Sequence, residues 1–250
     1  MGHRDAEWMI DVAGIPTPVL LRTPTTLAER PALLIHLTLA MGAGLDELPH
    51  GLVPRAFLAA GYRVASFDLP HHGRLVDQHG TGLVGMAAAM AAGSDVVARA
   101  IATGRGLTDA YLARANGEGG AIVLCGISRG GFFALHLLAA DPRIAAAASF
   151  APVTNLLALR EFTGLAQCPL VQQANAIHLV PQLAGRPTFC AINDDDRRVS
   201  TADCLAFHAA LRAASPDPSS PALRVEPGDT HTVSDDAYHE GAAWLLDRIG

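Results

Sequence analysis

The chain has 250 residues, half of them hydrophobic and 17% charged, with a formal net charge of −6. That composition excludes a disordered chain, and the length suits a single α/β domain with a sizeable core. No basic run is present, which argues against a nucleic-acid partner, and the longest apolar stretch, Leu83 to Ala92, is far shorter than the ~20 residues a membrane span needs.

Trp8 to Val12 and Thr17 to Leu21 read as two short strands joined by the turn-like Ala13-Gly14-Ile15-Pro16. Ala32 to His36 is predicted as a buried strand and Leu37 to Leu48 as a loop. Pro54 to Ala60 reads as the end of a helix closed by Gly61. Arg63 to Asp68 is the next buried strand, and Pro70-His71-His72-Gly73-Arg74 is a loop beyond its carboxyl end. In residues 78–93, glycines frame an alanine- and methionine-rich run. It is expected to form a surface helix packed on its own domain, with a small lid element as the alternative. Ser94 or Asp95 is expected to cap a long helix reaching about Ala115, and Asn116 to Gly120 a tight loop.

The apolar run Ala121 to Cys125 then leads into Gly126-Ile127-Ser128-Arg129-Gly130-Gly131, and a helical run, Phe132 to Ala140, follows. Strand, Gly-x-Ser-x-Gly and helix in this order is the context of a nucleophile elbow. The turn is so tight that only small residues fit two before and two after the serine, where Gly126 and Gly130 stand. It would lift the Ser128 hydroxyl to the carboxyl edge of a sheet, beside free N–H groups at a helix start.

Ile144 to Phe150 is another buried strand. Residues 151–186 form an excursion with weak helical signals, placed where a cap would be inserted but short for one. Pro187 to Asn193 is a strand, Thr201 to Ala214 a helix capped by Thr201 or Ser200, and Ser215 to Pro221 a loop. Leu223 to Glu226 is the last strand and Ser234 to Ile249 the closing helix. A hairpin followed by alternating strands and helices predicts one mostly parallel, eight-stranded α/β sheet over residues 1–250, with helices on both faces.

A nucleophilic serine needs a base and an acid. His231 lies in a loop after the last strand, where catalytic groups gather in open α/β sheets. His136, His208 and His239 fall on predicted helices and are expected to be ordinary core or surface residues. Asp194-Asp195-Asp196 follows a buried strand directly, and one of the three can orient the imidazole.

These residues resemble the α/β-hydrolase superfamily, and within it the dienelactone-hydrolase-like and prolyl-oligopeptidase-like branch. Gly126 to Gly131 resembles that branch's Gly-x-Ser-x-Gly-Gly elbow, and Asp68-Leu69-Pro70-His71-His72-Gly73-Arg74 its Asp-x-Pro-x-His-Gly loop. Asp194 to Val199 resembles its Asp-x-Asp-x-x-Val acid turn. The resemblance implies an α/β-hydrolase fold without a large cap domain, and a catalytic triad of Ser128, Asp196 and His231. It also implies an oxyanion hole whose first donor is the backbone N–H of Arg129. The chain departs from the family after the third strand, where His36 is followed by Leu37 and Thr38 instead of glycine. Leucine cannot take backbone angles open only to glycine, so the second donor is either Leu37 or Thr38. Dienelactone hydrolases proper carry a cysteine nucleophile, so Ser128 argues against that activity.

The expected activity is that of a serine hydrolase, a carboxylesterase acting through an acyl-enzyme on small to medium, fairly apolar esters. Acyl transfer, thioester or peptide cleavage on the same triad, and a non-catalytic ligand-binding protein, are the alternatives. No cofactor is expected. His71-His72 lacks a third ligand at a plausible spacing, so no metal is expected either. The Arg129 side chain is expected to pair with an acid outside the pocket, with a reach into the pocket as the alternative. Cys125, Cys168, Cys190 and Cys204 are expected as free thiols of a cytoplasmic protein without a secretory signal, and a homodimer is left open.

Overall fold

The computed structural model describes residues 2–115, 119–217 and 219–249, so part of each loop expected at 116–120 and 215–221 lies outside the described residues. Its eight strands are β1 (His3–Val12), β2 (Ile15–Pro24), β3 (Leu33–Leu37), β4 (Arg63–Ser66), β5 (Ile122–Ile127), β6 (Ile144–Phe150), β7 (Thr188–Asn193) and β8 (Pro221–Glu226). They form one sheet in the order β1-β2-β4-β3-β5-β6-β7-β8. β1 and β2 make an antiparallel hairpin and β2 pairs antiparallel with β4. Every other neighbouring pair is parallel.

The hairpin turns on Ala13 and Gly14, with φ of 54° and 83°. Two successive positive φ values match the right-handed twist of the strands they join. The hairpin is longer than its apolar pattern predicted, because the ladder runs out through polar residues as far as His3 and Pro24.

The helices are α1 (Ala43–Asp46), α2 (Leu52–Ala59), α3 (Gly82–Ala91), α4 (Val96–Ala115), α5 (Arg129–Ala140), α6 (Pro169–Gln173), α7 (Val180–Leu183), α8 (Thr201–Ala214) and α9 (Asp235–Leu246). Their starts follow local chemistry. Asp95 accepts the Ala98 N–H at 2.8 Å, Ser200 that of Asp203 at 3.2 Å and Ser234 that of Ala237 at 3.2 Å. Asp95 and Ser200 are therefore the caps among the pairs that the sequence leaves open. No single helix among the described residues is long and apolar enough to cross a membrane.

Successive strand residues point to opposite faces, and here both faces are covered. Leu33, Ile35, Leu37 and Leu124 pack with α4, α5 and α8 on one side. Leu34, Val123, Cys125 and Phe150 pack with Phe57 of α2 and Tyr238 and Leu245 of α9 on the other. Residues 151–186 fold back on the α5 side, burying Leu156, Leu159, Phe162, Val171 and Leu183 in that same core. α3 also packs there through Met86 and Met90.

One expectation is corrected. Leu37 is strand and not loop, because it pairs with Gly126 at the end of the β3–β5 ladder, and α1 forms within the stretch expected to be loop.

Candidate active site

Ser128 stands between β5 and α5 with φ 54° and ψ −117°, a strained conformation for a residue with a side chain. The surroundings hold it there. Its N–H donates to the Phe150 carbonyl at 2.8 Å, and its own carbonyl accepts from Phe132 and Val153. A Cβ on Gly126 would land on the carbonyl of Gly130, and one on Gly130 would land on the carbonyl of Leu37. The elbow is thus pressed directly against the end of β3.

His231 reaches this serine from the loop after β8, with Nε2 2.8 Å from Ser128 Oγ. Its Nδ1 lies 2.8 Å from Asp196 Oδ2. With Asp196 ionised, Nδ1–H donates to the carboxylate, and Nε2 is left to accept the serine hydroxyl proton.

The structure separates the three aspartates. Asp196 is 2% exposed, and its second oxygen accepts from the N–H groups of Arg198 and Val199. Asp195 is exposed and paired with Arg197, which holds its carboxyl below the usual carboxylate range. Asp194 accepts the Gly228 N–H at 2.9 Å, tying the acid turn to the loop that carries His231.

Comparison with family models and with curated proteins finds no match. Solved structures do match. TT1662 from Thermus thermophilus is similar with a TM-score of 0.74 at 22% identity, over 99% of this chain and 98% of that one. The Pyrococcus furiosus esterase Pf2001 is similar with a TM-score of 0.72 at 17% identity, over 100% of this chain and 93% of that one. A cold-adapted esterase from an Arctic intertidal metagenomic library is similar with a TM-score of 0.69 at 21% identity, over 99% and 94%. At such identities the likeness carries the architecture. This chain has the α/β-hydrolase fold.

In this hydrolase fold Ser128 and His231 open into a cavity of about 370 Å³. It is lined by Thr38, Leu39 and His50, by Leu83 and Val84 from the first turn of α3, and by Glu161 and Arg198. Arg198 grips Glu161 with two hydrogen bonds of 2.8 and 3.0 Å. Burial opposes ionisation of Glu161, but these bonds outweigh it and hold the carboxyl below its ordinary value. They also join the 151–186 segment to the acid turn.

The structure places the two residues left open after His36 differently. The Leu37 side chain is 1% exposed and packed in the core. Thr38 follows the strand and lines the cavity, and among the described residues its N–H has no protein acceptor. His36 is held by the Gly44 carbonyl at 3.1 Å, and burial pulls its pKa down to about 3. His71 and His72 diverge, the first toward Asp77 and the second toward Arg129.

The acid partner expected for Arg129 is not there. Among the described residues no carboxylate lies within salt-bridge distance of its guanidinium, which is bonded to the His72 ring instead. The nearby strand-end acid, Asp68, is occupied by the N–H groups of Met41 and Arg74.

Two supporting residues escaped the motif reading. Asn193 donates to the carbonyls of Thr230 and Thr232, on either side of His231. The Thr201 hydroxyl donates to the Asn193 carbonyl at 2.6 Å and accepts the Asp196 N–H at 2.9 Å. Side-chain amides and hydroxyls at loop ends are too common in sequences for this role to be visible before folding.

Proposed function

We propose that the protein is a serine hydrolase that cleaves carboxylic esters of small to medium size. The observation that carries this reading is the continuous relay Ser128–His231–Asp196, with both hydrogen bonds at 2.8 Å. The esterases among the structural neighbours support the ester class.

His231 removes the Ser128 proton as Oγ attacks the ester carbonyl, and Asp196 offsets the charge that forms on the ring. The tetrahedral oxyanion is received by the backbone N–H groups of Arg129 and Thr38, the first at the start of α5 and the second beside the elbow. Loss of one such donor costs about 3 kcal/mol of transition-state stabilisation. His231 then passes the proton to the leaving alkoxide, and water releases the acyl group from Ser128 by the same steps. The cavity of about 370 Å³ suits an acyl or alcohol group of modest length.

The test is covalent labelling by a fluorophosphonate probe together with turnover of short-chain 4-nitrophenyl esters. Wild-type protein is expected to do both and Ser128→Ala neither. Failure of the wild type in both assays removes the proposal.

A further inference from the structure

Arg129 is 4% exposed and its Nη1 has no hydrogen-bond partner. A buried guanidinium is costly unless it is paired. The contrast within this chain is direct. Arg22, 5% exposed, makes four hydrogen bonds to the carboxylates of Asp5 and Asp46. Arg129 has one partner, the ring of His72, and that ring is neutral, because burial and the guanidinium itself pull its pKa down to about 4. Burial lowers the Arg129 pKa to about 10, which leaves the side chain charged at neutral pH.

Arg129 and His72 both line the cavity that holds Ser128. The acids around this cavity are already engaged. Glu161 is held by Arg198, Asp68 by two backbone N–H groups, and Asp77 by the backbone N–H and ring of His79. Among the described residues Arg129 is therefore the one cavity cation without a counter-charge. A guanidinium without a counter-charge at the wall of a binding cavity calls for an anionic ligand group.

The geometry points to a substrate that carries its own carboxylate: an ester whose acyl or alcohol part ends in an acid group that pairs with Arg129. This rests on the ester-hydrolase reading above. A carboxylate matches a guanidinium with two parallel N–H bonds, and its single charge balances the single uncompensated cation. A dianionic group would leave one negative charge without a counter-charge, because Arg198 is already paired with Glu161. The carboxylate is also a stronger acceptor than a neutral imidazole, so it displaces or joins the His72 ring at the guanidinium.

The experiment compares the 4-nitrophenyl half-ester of adipic acid with 4-nitrophenyl heptanoate near neutral pH, with enzyme-free hydrolysis subtracted. Wild-type enzyme is expected to favour the anionic ester in kcat/KM by at least about ten-fold, mainly through KM. Arg129→Met is expected to abolish or invert that ratio, and Arg129→Lys, which keeps the charge without the fork, to restore part of it. Equal or better turnover of the heptanoate by wild type overturns the inference, as does a preference that persists in Arg129→Met. Ser128→Ala titrated calorimetrically with monomethyl adipate and dimethyl adipate reads the same selection without catalysis and without altering Arg129. Tighter binding of the monoester supports it, and equal, weaker or absent binding overturns it. Loss of turnover and of fluorophosphonate labelling in wild type instead removes the hydrolase reading, and the titration still decides charge selection.

Discussion

Asn193 holds the chain on both sides of His231: its Nδ2 donates to the Thr230 carbonyl at 2.8 Å and to the Thr232 carbonyl at 3.1 Å. The same residue's own carbonyl accepts from Thr201, whose hydroxyl also takes the Asp196 N–H. The loops that bear His231 and Asp196 are thereby built as one unit at the ends of β7 and β8.

Asn193→Ala removes that grip without touching the three proposed catalytic side chains. A misplacement near 1 Å costs on the order of 10²-fold in rate, so kcat is expected to fall by about that factor while KM changes little. Steady-state kinetics on a neutral short-chain ester measures the split. A variant that loses activity through KM alone would show that the loop contributes binding and not alignment.

The aspartates are expected to rank by the contacts they make. Asp196→Asn leaves His231 in the wrong tautomer and lowers kcat by about 10⁴-fold. Asp194→Asn weakens only the tie to the Gly228 N–H, and Asp195→Asn breaks an exposed pair with Arg197. Exposed pairs contribute about 0–1 kcal/mol, so Asp195→Asn should behave like wild type in both kinetics and urea unfolding. Equal losses at all three positions would contradict the assignment of Asp196.

Gly130→Ala tests the contact between the elbow and β3. Its new methyl would meet the Leu37 carbonyl, which is backbone and cannot swing aside. Overpacking of this kind costs about 1–3 kcal/mol, and the shift also moves Thr38 relative to Ser128. A lower urea midpoint and a loss of ester turnover are expected together. A stable and fully active variant would show that the elbow has slack.

Acid sensitivity should begin well above the carboxylate range. Burial lowers His36 from 6.5 to about 3 and His136 from 6.5 to about 4, so neither takes up a proton in the folded state until strongly acid pH. The unfolded chain protonates both as pH falls through 6.5. Stability is therefore expected to drop below that point by about 1.4 kcal/mol per pH unit for each histidine. Urea midpoints taken across this range measure the slope, to which the buried His72 ring also contributes, and His136→Gln should remove one histidine's share of it, about 1.4 kcal/mol per pH unit. A flat profile down to pH ~4 would mean that these rings accept protons in the fold.

Much of this molecule was legible in local pattern. The β-α alternation follows from short apolar runs punctuated by glycine, proline and capping residues. Gly126, Gly130 and Gly131 around Ser128 mark the elbow because its crowding is a property of the turn itself. His231 and the Asp194–Asp196 run stand just past strands, and strand ends are where an open sheet gathers its chemistry. Tertiary structure alone decided the rest, because it depends on groups distant in sequence meeting at one place. That Thr38 lines the cavity while the Leu37 side chain stays in the core follows from where the β3–β5 ladder ends. Asn193 and Thr201 acquire their roles only when β7 and β8 lie side by side. Arg129 looked like half of a salt bridge, but the fold gave Asp68 to backbone N–H groups and left the guanidinium facing a neutral ring. An arginine's neighbours, unlike a turn's geometry, are set by long-range packing and cannot be read from adjacent residues.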